Sequence, residues 1–477
     1  MILSNKNTVN QYFFDAVLRR KNSNPGETLE YSLKSYLTTM SITQALSMKS
    51  MVLHTVVSDG GGLFDKGLIS LGDEIEITIF ANETDTFKFV KSFLITEISN
   101  VEQFDNTKRK VMDIKAITKP KYIGKSIFVS KSLKGKTSDI AKIIYTEFLK
   151  IPETELEIEE TSGDTTVIFS KTSPTNALAE LTAKSISANL TYKDNLFFAY
   201  ETAKGHKFKS TRNMVETANT HTYFQHPSKA PTDTDADANR ILNFEQPVSG
   251  DRQKLIESGV LNNEVISFNF IDRTITSSGF SYERDKEKIN LLGKFAPFDY
   301  EGIEQQTSDY PTTGSSIDNA FFVKYVCDDK SYQRTDNRQT KDPVAKAQIE
   351  ALRQNSITIK IHGNHHIIPG DILVAEIPSK YLSSVSEYDA RIDGTYLVAG
   401  VRHDIGVGTA FDTILDLYKD ANEIEVENRT SNLEKPKSPS SNAEYRFELT
   451  QGNGEGVKAF DEYLKANKIT IAKGAGP

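Results

Sequence analysis

Ile69–Ile79 reads ISLGDEIEITI, and Ile367–Ile377 reads IIPGDILVAEI. Each sets Gly-Asp ahead of an apolar run, the composition of a tight turn feeding a strand. In the first, Ile75, Ile77 and Ile79 alternate with Glu74, Glu76 and Thr78, the period of two that buries one sheet face and wets the other. In the second, Ile372, Leu373, Val374 and Ala375 are apolar without alternation, which predicts a strand covered on both faces. Two further blocks follow each run in the same order: SFLITEI at Ser92–Ile98 and VMDIKA at Val111–Ala116, then TYLVAGV at Thr395–Val401 and ILDLYK at Ile414–Lys419. Aligning Leu94 with Leu397 also brings Asp113 onto Asp416. Three blocks recurring in one order predict a β-unit encoded twice, so that three chains can imitate a ring of six.

Composition bounds what such a chain does. Its 477 residues suffice for three or four domains, and 38% apolar with 26% charged residues describes a soluble protein with sizeable cores. The formal charge is −8 and no long Lys/Arg run appears, which argues against stable nucleic-acid binding through phosphates. One cysteine, Cys327, excludes an internal disulfide and fits a reducing compartment. The opening MILSNKNTVNQYFFDAVLRR has no long apolar segment, and no stretch approaches bilayer-spanning length, so neither signal-directed secretion nor membrane insertion is expected.

The chain divides into five pieces. Residues 1–118 form a first β-domain with strands around Tyr36–Met40 and Met51–Val57. Residues 119–215 change period and predict an α/β insert. There Thr137-Ser138-Asp139 caps a helix carrying Ile140, Ile143, Ile144 and Phe148, Ser173-Pro174 opens a second, and Asn189–Tyr192 pairs with Leu196–Tyr200 in a hairpin. A second β-domain takes 216–275, including Val265–Ile271, and resumes over 352–421. Residues 276–351 are an insert with a strand at Phe321–Cys327 and a helix opening at Asp342-Pro343, packed on the outside of a barrel. Residues 422–477 are Glu-, Lys-, Ser- and Pro-rich, a tether. It ends in a short amphipathic helix whose Val457, Phe460 and Leu464 form a candidate partner-docking face.

Four motifs invite chemistry. Gly60-Gly61-Gly62 lacks the Lys-Ser/Thr pair and following helix of a phosphate cradle and reads as a flexible loop. Asp233, Asp235 and Asp237 begin like a calcium loop, but Ala238 and Phe244 stand where glycine and bidentate Glu are required, so the segment reads as a solvated linker. His362, His365 and His366, with His403 on the returning strand, have metal-binding chemistry but lie in a turn between strands, which reads as a polar hairpin. No GxSxG elbow or cysteine-protease signature appears. No catalytic, cofactor-binding or metal residue is assigned.

The order of strand-rich domain, α/β insert, interrupted second strand-rich domain and polar tail resembles the central baseplate hub protein of contractile-tailed phages. The same hub fold recurs in the first part of type VI secretion spike proteins. The phrases that carry the resemblance are YLTTMSI at Tyr36–Ile42, the Pro174 helix followed by Leu196–Tyr200, SITIKIHGNHHIIPGD at Ser356–Asp371, GTYLVAGVRHD at Gly394–Asp404, and Phe411–Tyr418. The resemblance implies a mainly β fold with α/β inserts, built on two related antiparallel, tail-tube-like β-barrel domains. It also implies a homotrimeric, pseudo-sixfold adaptor between tail tube and central spike, without catalysis. The partners would be the chain itself, the spike, tube or tube-initiator proteins and the tape-measure protein, with DNA passing transiently through a channel. The place would be the virion baseplate, assembled in the host cytoplasm. A tail-associated cell-wall or polysaccharide hydrolase and a duplicated β-domain adhesin remain open alternatives.

Overall fold

The structure is a computed structural model. It describes residues 12–21, 28–81, 87–103, 109–189, 194–225, 238–249, 253, 257–269, 274–294, 319–326, 338–378, 389, 391–406 and 411–423. The acidic segment at Asp233, Asp235 and Asp237, Cys327, and the docking face Val457, Phe460 and Leu464 lie outside the described residues.

The fold is mainly β. The first part contributes β1 (Phe13–Lys21), β2 (Thr28–Ser32), β3 (Leu37–Ala45), β4 (Val52–Asp59), β5 (Glu74–Phe80), β6 (Phe89–Gln103) and β7 (Lys110–Thr118). The insert that follows holds α1 (Lys119–Ser126), β8 (Val129–Lys136), α2 (Thr137–Ile143), β9 (Leu156–Ile158), β10 (Asp164–Thr172), α3 (Pro174–Lys184), β11 (Phe197–Thr202), β12 (Gly205–Ser210) and α4 (Thr211–Thr217). Then come β13 (Thr220–Phe224), β14 (Ile241–Ser249), β15 (Asn262–Asn269), β16 (Thr274–Ser281), α5 (Tyr282–Ile289), β17 (Asn319–Val326) and α6 (Arg338–Gln354). The chain closes with β18 (Asn355–His362), β19 (Ile372–Glu376), β20 (Gly394–Gly406) and β21 (Phe411–Lys419).

Thirteen strands join one curled sheet in the order β14-β18-β21-β20-β3-β4-β7-β6-β5-β1-β2, with β19 pairing β20 and β13 pairing β19. The two related units are therefore fused edge to edge through β20 and β3. Each keeps its own core. Ile75, Ile77 and Ile79 are buried beside Leu53, Phe93 and Ile114 in the first; Leu373, Ile357, Ile359 and Leu415 are buried together in the second. Each such isoleucine or leucine contributes roughly 1.5–3 kcal/mol by leaving water.

The lack of alternation in β19 has the cause its sequence implied. Leu373 and Ala375 face the core, while Ile372 packs on the other face with Tyr200, Met214, Leu352, Leu397 and Ala399. The 119–217 insert and α6 thus cover the outer face of the second unit. In the first unit the corresponding outer-face position is Glu74, and its face stays partly wet.

Several local expectations give way. Val265–Ile271 was expected in the second β-domain, but β15 pairs with β16 and, in parallel, with β17 to make a separate three-stranded sheet, so the second insert begins before it. Helix α6 starts at Arg338 and carries Pro343 inside it rather than at its opening. Helix α2 has no side-chain cap: Thr137 instead bonds the hydroxyls of Thr161 and Ser185, and the Ser138 amide donates to Thr161 Oγ1, tying the helix to its neighbours. The helix then widens into a π-turn over Ile144–Phe148. Phe197–Thr202 pairs with β12, while residues 190–192 of the expected partner Asn189–Tyr192 lie outside the described residues. Ser173 does cap α3, accepting from the Asn176 amide at 3.3 Å.

Candidate assembly surface

The duplicated unit is built around a turn whose closing and clamping hydrogen bonds are repeated. In Ser70-Leu71-Gly72-Asp73 the Asp73 amide donates to Ser70 O (3.2 Å), and the Ser70 amide to Asp73 Oδ2 (2.8 Å). In Ile368-Pro369-Gly370-Asp371 the same bonds measure 3.1 and 3.1 Å. Gly72 (φ 88°) and Gly370 (φ 91°) occupy the third position, where a type II turn requires positive φ. Each turn is then clamped to the next strand: Gly72 N to Ile95 O (2.9 Å) and Gly370 N to Val398 O (2.8 Å), with Ile95 N to Asp73 O and Val398 N to Asp371 O both at 2.9 Å.

Register extends the match through the sheet. Glu74 faces Leu94 as Ile372 faces Leu397, which places Leu94 on Leu397 as the sequence alignment did. Both units skip one residue at the same place, Thr96 in β6 and Ala399 in β20. Beyond this bulge Glu97 faces Lys115 as Gly400 faces Asp416, so Lys115 is the counterpart of Asp416 and Asp113 falls two residues away, on Ile414. The ungapped match of Asp113 to Asp416 looks equally good in sequence because a two-residue slip keeps every side chain on its own sheet face. A second shared bulge lies between Leu37 and Thr39 in β3 and between Ile241 and Asn243 in β14. The counterparts are thus β3 and β14, β4 and β18, β7 and β21, β6 and β20, β5 and β19. The flanking strands differ: β1 runs antiparallel to β5, β13 parallel to β19.

One consequence concerns edges. Gly400–Ile405 of β20 pairs β21 on one side and β3 on the other. In the counterpart β6, β5 covers only Phe89–Leu94; Glu97–Gln103 has no strand on that side among the described residues. Its residues are half-buried or exposed, Val101 by 43%, whereas Gly400, Val401 and His403 are buried. At the far end of the sheet β14 pairs β18 alone among the described residues, whereas its counterpart β3 is paired on both sides.

The residues with metal or phosphate chemistry serve the scaffold. His365 lies in the expected turn between strands but is fully buried there, with Nε2 2.8 Å from Phe87 O. His403 Nδ1 lies 3.1 Å from Thr413 Oγ1, and burial, with His365 nearby, lowers its pKa to about 3, so it is neutral. With Tyr12, Phe87 and Phe411 these rings plug the seam between the two units. Among the described residues no three His, Cys, Asp or Glu side chains converge to hold a metal. The glycine loop is ordered by its own carboxylate: Asp59 accepts from the amides of Gly61 (3.0 Å) and Phe64 (2.9 Å). Burial raises the Asp59 pKa, but the Phe64, Leu63, Gly61 and Gly62 amides outweigh it and leave it below its ordinary value. Those amides already hold an anion, which accounts for the loop without a phosphate.

Glu201 fastens the first insert to the first unit. It is buried and accepts from the Met51 amide (3.1 Å) and Thr118 Oγ1 (2.6 Å). Burial raises its pKa and lowers that of His206, 3.7 Å away, to about 3, so the two are not a hydrogen-bonded ion pair. Sequence reasoning passed over Glu201 because nothing local separates it from a surface carboxylate. No helix among the described residues is long and apolar enough to cross a membrane.

No family profile matches the chain, and no curated protein matches it. Among solved structures, a tail protein from Neisseria meningitidis is 10% identical, covering 86% of this chain and 99% of its own, with a TM-score of 0.48. A 43 kDa tail protein of prophage MuSo2 from Shewanella oneidensis is 9% identical over 86% of this chain and 100% of its own, at 0.49. An Escherichia coli component of the type VI secretion system, described as structurally similar to bacteriophage T4 tail proteins, is 8% identical over 86% and 79%, at 0.40. At low identity, the chain is similar to phage tail proteins and to a type VI secretion component.

Proposed function

We propose that this chain is a structural hub of a contractile tail, three copies of which form a pseudo-sixfold ring joining the sixfold tube to the threefold spike. The observation that carries the reading is the repeated turn, bulge and register of the two units. A chain offering one sheet module twice presents two quasi-equivalent positions, so three chains supply six. The order of sequence blocks supports the tail as the setting. In this reading the protein acts by shape, with no catalytic step and no cofactor. Its partners are other copies of itself, the spike, the tube or tube-initiator proteins and the tape-measure protein. DNA passes the ring without specific contact; the acidic balance discourages adhesion. The domain boundaries at 1–118, 119–215, 216–275 with 352–421, 276–351 and 422–477 belong to the same proposal, with the second insert extended to include β15.

The test is native mass spectrometry and electron microscopy of the purified full chain. The expected species is an annulus of three times the 53.3 kDa chain mass. A compact monomer at every accessible concentration refutes the ring.

A further inference from the structure

We propose that Glu97–Gln103 of one copy pairs antiparallel with β14 of a second copy, reproducing between molecules the β20–β3 junction found inside one. This rests on the ring reading above and specifies the contact that closes it. Within the chain, Gly400–Gly406 of β20 and β3 form the seam between units. Their counterparts are Glu97–Gln103 and β14, and among the described residues these are the two segments left without the partner that the seam supplies. They lie on opposite flanks of the sheet order, with β18, β21, β20, β3, β4 and β7 between them, so they do not meet each other within one chain. A second copy brings them together, and a head-to-tail contact of this kind closes a ring when the rotation is right.

The duplicated register states which residues meet. Arg402 faces Thr43 across the internal seam. Ser99 faces Asp113 as Arg402 faces Ile414, and Val248 faces Ser356 as Thr43 faces Val52. Ser99 of one copy therefore faces Val248 of the next. The open edge also carries the features that deter indiscriminate pairing. A bulge between Ser99 and Glu102 and a left-handed Asn100 (φ 50°) break its regularity, and Glu97 and Glu102 charge it. The same register sets Glu102 of one copy opposite Glu245 of the next, a like-charge pair that weakens the contact at low salt. Pairing would cover Val101, 43% exposed.

The test uses the full chain with Cys327→Ser, adding Ser99→Cys together with Val248→Cys, under mild oxidation. Reductant-sensitive two- and three-chain species are expected on denaturing gels. The pair Ser99→Cys with Asn243→Cys, out of register, should remain single chains. Independently, in the unsubstituted protein, amides of 97–103 and of 241–249 should exchange at least about tenfold more slowly in the assembled form than in diluted monomer. Trimers that neither cross-link at this pair nor protect these amides overturn the edge assignment while the ring stands. Cross-linking of the out-of-register pair instead overturns the register. A chain that never assembles overturns both. If the double variant does not fold, the exchange measurement decides alone.

Discussion

Replacing Gly72 and Gly370 separately by alanine tests the duplication and the asymmetry of its covering in one comparison. The two glycines have nearly equal φ, 88° and 91°, so the left-handed cost of a Cβ, about 1–2 kcal/mol, is common to both. About 0.4–1 kcal/mol of it is offset by stiffening of the unfolded chain. What differs is space. A Cβ at Gly72 meets nothing within 4 Å; one at Gly370 would stand 2.5 Å from Tyr200 Oη and 3.3 Å from Met214 Sδ. Tyr200 is buried and its hydroxyl points to Met214 Sδ at 3.2 Å, so it has little room to withdraw. Overpacking of this kind costs about 1–3 kcal/mol. Gly370→Ala should therefore loosen its region by about 1–3 kcal/mol more than Gly72→Ala, an excess of roughly 5- to 150-fold in local opening. Hydrogen exchange read by mass spectrometry over 368–373, 197–202 and 211–217, against 70–75 for the first turn, measures it. Equal acceleration at the two turns, or an unchanged 211–217 segment in Gly370→Ala, would falsify the covering argument.

Three further outcomes are expected. Glu201→Leu leaves the Met51 amide and Thr118 hydroxyl unpaired in a buried place, costing about 2–5 kcal/mol, whereas Glu201→Gln keeps an acceptor and costs much less; proteolytic release of the 119–217 insert reports the difference. Asp59→Ala removes the acceptor for Gly61 and Phe64 and should speed amide exchange across Gly60–Phe64 by about tenfold or more; because the folded pKa is lowered, the wild-type loop should keep its protection above the ordinary carboxylate range and lose it as pH falls through the folded value. Asp420, which accepts from the Leu291 and Leu292 amides, is pushed up to about 6 by burial. It holds in the folded state a proton that the unfolded chain releases near 4, so its contribution to stability falls as pH rises from about 4 to 6. Asp420→Asn should flatten that part of an unfolding-free-energy-against-pH curve, by up to about 3 kcal/mol, and an unaltered slope would show that Asp420 does not titrate there.

Much of the architecture was readable because it is written in short-range pattern. Alternation in Glu74–Phe80, its loss in Ile372–Ala375 and the Gly-Asp pairs each depend on neighbours within a strand or turn, where backbone geometry leaves few options. Leu94 and Leu397 aligned correctly for the same reason. The bulges at Thr96 and Ala399 were not visible, and Asp113 was matched two residues away from its true counterpart, because a skipped residue leaves no compositional mark. Val265 looked like one more strand of the large sheet, since its own sequence cannot say whether its partner is Ile357 or the distant β17.

The amino-acid order by itself determined that a β-unit is encoded twice and that the second copy is covered on both faces. Those properties follow from the two-residue period of a strand and the positive φ that only glycine adopts without strain. Only the tertiary structure decided that the units fuse through β20 and β3, that His365 and His403 plug the seam as buried rings, and that, among the described residues, Glu97–Gln103 and β14 each keep one edge without a strand. Each depends on pairing between segments far apart in the chain, and the hydrogen-bonding groups that select a strand's neighbour are the same at every residue, so side chains alone do not reveal which edge remains open.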